Sequence, residues 1–292
     1  MLTIFTIPKP FKGHDGVIQK NAIRSWANLQ TPCQIILVGN DEGTAEMAAE
    51  VGALHLPDVE MTDFGTPYLD DAFNQAQEHA TFEVMCYLNA DIMIFDDLLQ
   101  AAAKVRGKWD HFLMVGQRTD IDMTEEIAFS GDWRSELRLL LRQDGFLQHH
   151  SAMDYFVFPR GQIDNLPHFA VGRPAWDTWM IYNALKSGFA LVDATQGALV
   201  VHQNHGYGHV PLSRGAAWNG PEGDENLKVV RAIPGYAPQY FTTNRAPWRV
   251  DGAAVQRNSD LASTLRRFKS FLYTRPFLGR VLRRLMTMMG DR

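Results

Sequence analysis

Short apolar runs alternate with amphipathic stretches along the first 116 residues of the chain. Runs of the kind that form strands buried on both faces lie at residues 2–7, 35–38, 53–56, 84–88 and 111–116. Apolar residues with helical spacing mark the intervening stretches at residues 17–29, 44–51, 67–79 and 97–105. This alternation is typical of a mostly parallel sheet with helices on its faces. We therefore predict an α/β fold for residues 1–116.

The pattern changes after residue 116. Residues 117–132 are polar and are predicted to form a loop. Beyond them we predict helices and strands with weaker signals: helices at residues 133–142 and 178–186, and strands at residues 153–158, 189–192 and 199–202. The stretch 203–260 is rich in Gly, Pro, Asn and Trp and has no strong period. We interpret residues 117–260 as a second half of the same domain.

Residues 261–292 differ from the rest of the chain in charge. Residues 1–260 carry 20 basic and 32 acidic residues, a net charge of −12, whereas residues 261–290 carry seven basic residues and no acidic ones. An acidic body does not suit nucleic-acid backbones, so no nucleic-acid partner is expected. In the tail, basic and apolar residues interleave, which predicts two short amphipathic helices broken at Pro276. We expect residues 261–290 to bind weakly to an anionic membrane surface; the alternative is a helix packed on the domain with a solvated basic face.

The two cysteines and the N-terminus bear on the compartment. Cys33 and Cys86 lie in or beside apolar runs, and nothing indicates a disulfide framework, which favours a reducing compartment. The first residues have no basic start, and Pro8 ends the apolar run too early for a signal peptide. No apolar run reaches the length of a membrane-spanning helix. We expect a cytoplasmic protein, peripheral on the inner face of the membrane.

Polar residues follow two of the predicted strands. Asn89 and Asp91 lie between the apolar runs 84–88 and 92–95, where a carboxylate is costly unless it is paired or binds a cation. Side chains at i and i+2 of an extended segment point the same way, and open α/β sheets bind ligands at the carboxyl ends of their strands. Asp41 and Glu42 follow the second strand similarly. These residues indicate a ligand site; the alternative is a polar strand end at which Asp91 caps a turn.

Two later clusters are further candidates. Asp177 precedes an apolar helix and is either its N-cap or, beside Trp176, a general base with a raised pKa. His202, His205 and His209 fall within eight residues, without the spacing of a zinc finger. Either they are incidental residues of a surface loop, or one of them completes a divalent-metal site. Three histidines on one ion are not expected.

With these residues assembled, the chain resembles the GT-A type of nucleotide-sugar-dependent glycosyltransferases, family 2-like, over residues 2–210. The resemblance is carried by the N-terminal strand–helix sheet with its acidic loop (residues 39–43), by Asn89-Ala90-Asp91 in the context of that family's Asp-x-Asp motif, and by Asp177 followed by His202. Asn89 departs from the motif, because it replaces the first Asp. No Gly-x-Gly-x-x-Gly or Walker A motif occurs, which disfavours dinucleotide-binding and P-loop proteins.

The resemblance implies a GT-A (Rossmann-like) fold, with a mixed, mostly parallel sheet flanked by helices and an amphipathic helical tail. Residues 1–116 would bind the nucleotide-sugar, and residues 117–260 would form the acceptor-binding and catalytic half. It implies donor contacts from Thr6, Pro8, Arg24, Asp41, Glu42, Asn89 and Asp91, with a solvent-facing role as the alternative for Arg24. It implies Mn²⁺ or Mg²⁺ held by Asp91 and His202, with His205 as a further candidate. The acceptor-side candidates are Asp154, Tyr155, Arg173 and Trp176; the alternative for Tyr155 is a core position.

The implied function is metal-dependent, inverting transfer of a sugar from a nucleotide-diphosphate donor to an acceptor hydroxyl, with Asp177 as base. A glycan or a lipid-linked glycan is the expected acceptor. Two rival functions stay open. A sugar-nucleotide nucleotidyltransferase shares a similar sheet, but residues 8–13 are a poor version of its basic phosphate loop. A non-catalytic carbohydrate-binding protein with the same fold is the other rival, which Asn89 keeps open.

Overall fold

The computed structural model describes residues 1–205, 220–233, 236–237, 240–252, 254–275, 277–278 and 281. Nine of the described strands form one sheet, in the order β13-β12-β10-β6-β9-β4-β1-β2-β3. They are β1 (Thr3–Thr6), β2 (Gln34–Val38), β3 (Leu54–Leu56), β4 (Val84–Leu88), β6 (Phe112–Val115), β9 (Tyr155–Pro159), β10 (Ala190–Asp193), β12 (Trp248–Asp251) and β13 (Ala254–Arg257). Within this sheet β9 and β13 run antiparallel to their neighbours, and the other pairings are parallel.

A smaller sheet of four described strands has the order β5-β11-β7-β8. It comprises β5 (Ile92–Ile94), β7 (Thr119–Ile121), β8 (Phe146–Leu147) and β11 (Val200–Gln203). β11 is antiparallel to β5 and parallel to β7. It therefore lies between β5, which follows the Asn89-Ala90-Asp91 segment, and β7, which follows β6 along the chain.

The helices lie between these strands along the chain. They are α1 (Gly13–Ala27), α2 (Thr44–Val51), α3 (Leu69–His79), α4 (Asp96–Arg106), α5 (Trp133–Asp144), α6 (Trp176–Ser187), α7 (Pro221–Arg231) and α8 (Leu261–Tyr273). In α3 the buried residues are Leu69, Ala72, Phe73 and Ala76, the spacing of one helical face turned to the sheet. None of the helices in the described part of the chain has both the length and the apolar run that a bilayer crossing requires.

Alternate residues of the central strands pack into two hydrophobic clusters. Ile4 and Cys86 belong to one cluster, and Phe5 and Tyr87 belong to the other. Since successive side chains of a strand point to opposite faces, the two clusters cover the two faces of the large sheet. The continuous apolar runs of β1 and β4 follow from this burial on both faces, and the predicted α/β fold with a mixed, mostly parallel sheet is confirmed.

Three predictions for the second half need correction or lie beyond the described residues. Residues 117–132 are not all loop, because β7 forms there by pairing with β11 and β8 despite its polar sequence. The stretch 203–260 contains α7, β12 and β13, whose short lengths leave no clear period. The first predicted tail helix is present as α8, whereas Pro276, residues 282–290 and His209 lie outside the described residues.

Candidate functional site

A cavity of about 460 Å³ opens where several strands of the large sheet end. Pro8 and Lys9 follow β1, Asp41 follows β2, and Asn89 and Asp91 follow β4; all of them line this cavity. β1, β2 and β4 are parallel neighbours, so their carboxyl ends lie at one edge of the sheet. The wall opposite is formed by the chain from Val171 to Asp177. The cavity therefore occupies the position at which open α/β sheets bind ligands.

Asp91, His202 and His205 form a cluster at the base of the cavity. The pairing of β11 with β5 sets His202 opposite Ile92, the residue after Asp91, which brings the imidazole to the carboxylate. Asp91 Oδ2 lies 3.1 Å from His205 Nε2 and 3.8 Å from His202 Nε2. One ligand atom from each of the three residues lies within 4.8 Å of the others. Two imidazoles and a carboxylate are a donor set that Mn²⁺ and related divalent ions accept.

The carboxylate of Asp91 is charged and has an unused oxygen. Burial alone would raise its pKa, but the hydrogen bond from His205 and the charges of His202 and Lys9 outweigh burial and hold the pKa of Asp91 well below its usual range. Its Oδ1 is buried and has no hydrogen-bond partner among the residues that the structure describes. A buried carboxylate oxygen without a partner is costly, and a bound cation would satisfy it. The residues therefore fit a divalent metal ion.

A chain of charged side chains connects this cluster to the other side of the cavity. Asp120 Oδ1 lies 3.2 Å from His202 Nδ1 and accepts a hydrogen bond of 2.9 Å from Arg118 Nε. Arg118 also donates to Asp154 Oδ2 at 2.7 Å, and Asn89 Nδ2 donates to Asp154 Oδ1 at 2.7 Å. Asp154 directly precedes β9, whose antiparallel pairing with β4 sets it beside Asn89. The amide of Asn89 is thus engaged with Asp154 in this structure.

Asp177 lies at the start of α6 on the opposite wall. Burial raises the pKa of Asp177 to about 6, and the negative charge of Asp154 has a smaller raising effect. The hydrogen bond that Asp177 accepts from the Thr178 backbone at 2.7 Å lowers the pKa but does not outweigh burial. It is the second residue of the helix, and the N-cap is Ala175, so Asp177 is not the N-cap. A carboxylate with a pKa near neutrality that lines a cavity can accept a proton from a bound hydroxyl.

The segment before Asp177 is held in an unusual conformation. Ala175 has a φ of 87°, the one positive φ among the described non-glycine residues. Such a conformation costs an alanine about 1–2 kcal/mol and persists only where the surroundings fix it. Asn226 of α7 fixes it, because its buried amide bonds the backbone of Ala170 on both sides and the carbonyl oxygen of Pro174 at 3.2 Å. α7 therefore positions the segment that carries Asp177.

A second residue of α7 holds Arg173 at the cavity wall. Glu222 accepts hydrogen bonds from Arg173 Nη2 at 2.5 Å and from Thr62 Oγ1 at 2.5 Å. Glu222 is only 8% exposed. Much of the Arg173 charge is therefore neutralised, while its side chain still lines the cavity.

The structure brings most of the predicted site residues together and leaves four apart. Those that line the cavity are Pro8, Asp41, Asn89, Asp91, Asp154, Arg173, Trp176, Asp177, His202 and His205. Thr6 is fully buried within β1, and Tyr155 is fully buried in the core, as in the alternative given for it. Arg24 is bound to Glu50 and Glu126, each at 2.6 Å, and Glu42 pairs with Lys12 at the surface.

Sequence reasoning missed four charged residues of the cavity, which are Lys9, Asp15, Arg118 and Asp120. Lys9 lies three residues after the end of β1, where its position could have been noticed, and Asp15 lies in the first turn of α1. Arg118 and Asp120 lie in the stretch predicted as loop. In the sequence, Arg118 and Asp120 could have been recognised as site residues only because they are polar residues at i and i+2 after a buried strand, as Asn89 and Asp91 are.

Comparisons with known proteins concern the fold. No family model matches the chain, and no curated protein matches its sequence. The structure is similar to S. aureus TarS (residues 1–349) in complex with UDP-GlcNAc, with 11% identity, coverage of 94% of this chain and 71% of that chain, and a TM-score of 0.51. Mannosyltransferase PcManGT from Pyrobaculum calidifontis, in complex with GDP-Man and Mn²⁺, matches with 14% identity, 74% and 59% coverage and a TM-score of 0.46. Glucosyl-3-phosphoglycerate synthase from Mycobacterium tuberculosis, with Mg²⁺ and UDP, matches with 13% identity, 80% and 78% coverage and a TM-score of 0.47.

At identities this low the likeness shows the fold alone, and the TarS comparison carries it. The predicted GT-A fold is thereby confirmed. The chain spans 58% of the length of another TarS structure and 59% of PcManGT, so it matches only part of those proteins.

Proposed function

We propose that the protein is a metal-dependent glycosyltransferase that moves a sugar from a nucleotide-diphosphate donor to an acceptor hydroxyl with inversion. One observation carries the proposal. A cluster suited to a divalent cation and a carboxylate with a pKa near 6 line the same cavity, at the carboxyl ends of the strands of a GT-A fold. The TarS structure with the same fold was solved with UDP-GlcNAc, which supports a nucleotide-sugar as the donor.

The donor would bind on the side of the cavity formed by residues 1–116. Mn²⁺ or Mg²⁺ held by Asp91, His202 and His205 would supply positive charge against the donor diphosphate, which stabilises the nucleoside-diphosphate leaving group. Lys9 adds a second positive charge from the end of β1. Asp41, whose pKa is raised by burial, lines the cavity after β2 and is the candidate contact for the ribose or base.

The acceptor would bind on the side formed by residues 117–260. Asp177 takes the proton from the acceptor hydroxyl as the oxygen attacks the anomeric carbon, and a single displacement of this kind inverts the configuration. Trp176 and Arg173 lie beside Asp177 and offer an apolar surface and hydrogen-bond donors to a sugar ring. Asp154 is tied to Arg118 and Asn89, and thus links the acceptor side to the donor side. We expect a glycan or a lipid-linked glycan as the acceptor.

Residues 8–13 disfavour the nucleotidyltransferase alternative. That activity needs a basic loop around the triphosphate, whereas one of the two lysines in residues 8–13 lines the cavity: Lys9 does, and Lys12 is exposed and pairs with Glu42 at 2.5 Å. A nucleotidyltransferase would release pyrophosphate from a nucleoside triphosphate, and a glycosyltransferase would release a nucleoside diphosphate from a nucleotide-sugar. The released product therefore separates the two functions.

The test is hydrolysis of a panel of nucleotide-sugars by the full chain, with and without Mn²⁺, measured as released nucleoside diphosphate. We expect turnover of at least one donor that depends on the metal. Asp91→Ala should lose Mn²⁺ binding in isothermal titration calorimetry, whereas Asp177→Asn should bind Mn²⁺ and donor normally but lose turnover. Asp164→Asn, at an exposed site outside the cavity, is the matched control.

Three results would contradict the proposal. Donor binding without turnover for every donor and metal would favour a non-catalytic carbohydrate-binding protein. Pyrophosphate release would favour the nucleotidyltransferase. Turnover by Asp177→Asn at the wild-type rate would remove Asp177 as the base.

A further inference from the structure

Helix α8 packs on the domain with its polar face. Ser263 is 5% exposed, Ser270 is 2% exposed and Tyr273 is 2% exposed. Their positions fall on one side of the helix, because residues three, four and seven apart share a face. Asp260 caps the helix by accepting from the Ser263 backbone at 2.8 Å. The buried side of α8 is therefore built from small polar residues and one tyrosine.

Hydrogen bonds and one ring contact hold this face in place. Tyr273 stacks on Tyr240 with ring centroids 4.5 Å apart. Arg245 Nη1 donates to the carbonyl oxygen of Arg266 at 3.2 Å, and Arg266 Nε donates to the carbonyl oxygen of Asn244 at 3.1 Å. The helix is thus fixed to the domain by polar groups and Tyr273, whereas most of its large aliphatic and phenylalanine side chains stay exposed.

Those side chains point away from the domain. Leu261, Leu265 and Phe268 are 76%, 56% and 60% exposed, and their spacing places them on the side opposite Ser263 and Ser270. The described residues after the helix continue the trend, since Phe277 is 70% exposed. An amphipathic helix in a water-soluble fold normally turns its apolar face to the core. The reverse orientation of α8 leaves several large apolar side chains exposed on one helical face, a feature that marks interaction sites.

We propose that this outer face of α8, defined by Leu261, Leu265 and Phe268, binds the surface of an anionic lipid bilayer. Lys269 and Arg275 are exposed beside it, and residues 261–290 carry seven basic residues and no acidic ones. An apolar face flanked by basic side chains lies at the boundary between headgroups and acyl chains.

The charge of the rest of the chain supports the same partner. Residues 1–260 have a net charge of −12, so an anionic surface repels the body and attracts only the tail. A second copy of the chain fits less well, because the same interface would bring two sets of like charges together. The bilayer is therefore the occupant that satisfies both the apolar face and its charges. The inference does not depend on the proposed activity.

The test is co-sedimentation of the full chain with phosphatidylcholine vesicles and with vesicles that also contain phosphatidylglycerol. We expect binding to the anionic vesicles alone, weakened by added salt. Leu265→Ser combined with Phe268→Ser should lower the partition coefficient about a hundredfold, about tenfold per side chain. Lys269→Gln and Arg275→Gln should each lower it about fivefold on anionic vesicles.

A matched control uses two exposed leucines elsewhere. Leu139 and Leu140 on α5 are 50% and 42% exposed, and their double serine variant should bind as the wild type does. Asp177→Asn should also bind normally, which separates membrane binding from the proposed catalysis. Equal binding by the Leu265→Ser, Phe268→Ser variant and the wild type would overturn the inference, as would no binding by the full chain. A dimer in multi-angle light scattering that this variant abolishes would assign the face to self-association and would also overturn it.

Discussion

Asp177→Asn is expected to raise the stability of the protein at neutral pH while it abolishes transfer. Asp177 lies in the first turn of α6 and is half-buried at the cavity wall, and the loss of hydration there raises its pKa from 3.8 to about 6. A folded-state pKa above the unfolded value means that the native state holds the proton more tightly. The contribution of this group to the free energy of unfolding is therefore fully present below about pH 4 and is lost as the pH rises through about 6.

The magnitude follows from the same values. A rise of roughly two pH units corresponds to about 3 kcal/mol, at about 1.4 kcal/mol per unit. Ionised Asp177 thus lowers the free energy of unfolding by up to about 3 kcal/mol above about pH 7. An asparagine has the same shape and its oxygen can still accept from the Thr178 backbone, so the variant avoids this loss.

Urea unfolding of the wild type and of Asp177→Asn at about pH 4 and about pH 8 measures the difference. The variant should be more stable at the higher pH, and the gap should close at the lower one. For the wild type, kcat/KM should fall about tenfold per pH unit below about 6, because the base becomes protonated. Two results would refute the assigned pKa and with it the argument for Asp177 as base. One is a stability gap between the two proteins that does not change with pH, and the other is a wild type that is more stable than Asp177→Asn at about pH 8.

Three further predictions concern residues around the site. Asp120→Asn should weaken Mn²⁺ binding about 10- to 100-fold in titration calorimetry, because the carboxylate beside His202 Nδ1 orients that imidazole; unchanged affinity would exclude this role. Asn226→Ala should lower the free energy of unfolding by about 3 kcal/mol, since it leaves buried backbone groups unpaired; a loss below about 1 kcal/mol in urea would contradict the bracing role of α7. Arg24→Gln should leave donor affinity unchanged in calorimetry and cost no more than about 1 kcal/mol, because the side chain is bound to Glu50 outside the cavity; a large loss of donor affinity would return Arg24 to the site.

The sequence predicts the strands that are buried on both faces. β1, β4 and β6 fall within the apolar runs at residues 2–7, 84–88 and 111–116, and β2 matches the run at residues 35–38 to within one residue, because burial on both faces demands unbroken apolar sequence. It predicts β7 poorly, because a three-residue strand with Asp120 at its centre has no apolar pattern and forms by pairing with β11. Short strands of this kind are stabilised by distant partners, which a local pattern does not reveal.

In the site, too, some features follow from the local sequence pattern and others from distant partners. Asn89, Asp91 and Asp41 follow predicted strands, so the parallel sheet alone brings them to one edge. The bonds between Arg118, Asp154 and Asn89 join residues 36 and 65 positions apart, and they depend on the insertion of β9 beside β4. Side-chain partners of this kind follow from tertiary structure and not from residue types.

The position of β9 in the large sheet has a consequence for how the chain is made. β9 lies between β4 and β6, and the neighbours of β6 in the sheet are β9 and β10, which both follow it along the chain. During synthesis β1, β2, β3 and β4 can pair as they emerge, but β6 has no partner until about 40 further residues have been added. Until then β4 and β6 present unpaired edges to other nascent chains. The strand that brings Asp154 to the cavity is therefore also the one that joins β4 to β6, so the two edges that it fills stay unpaired during translation until β9 has been made.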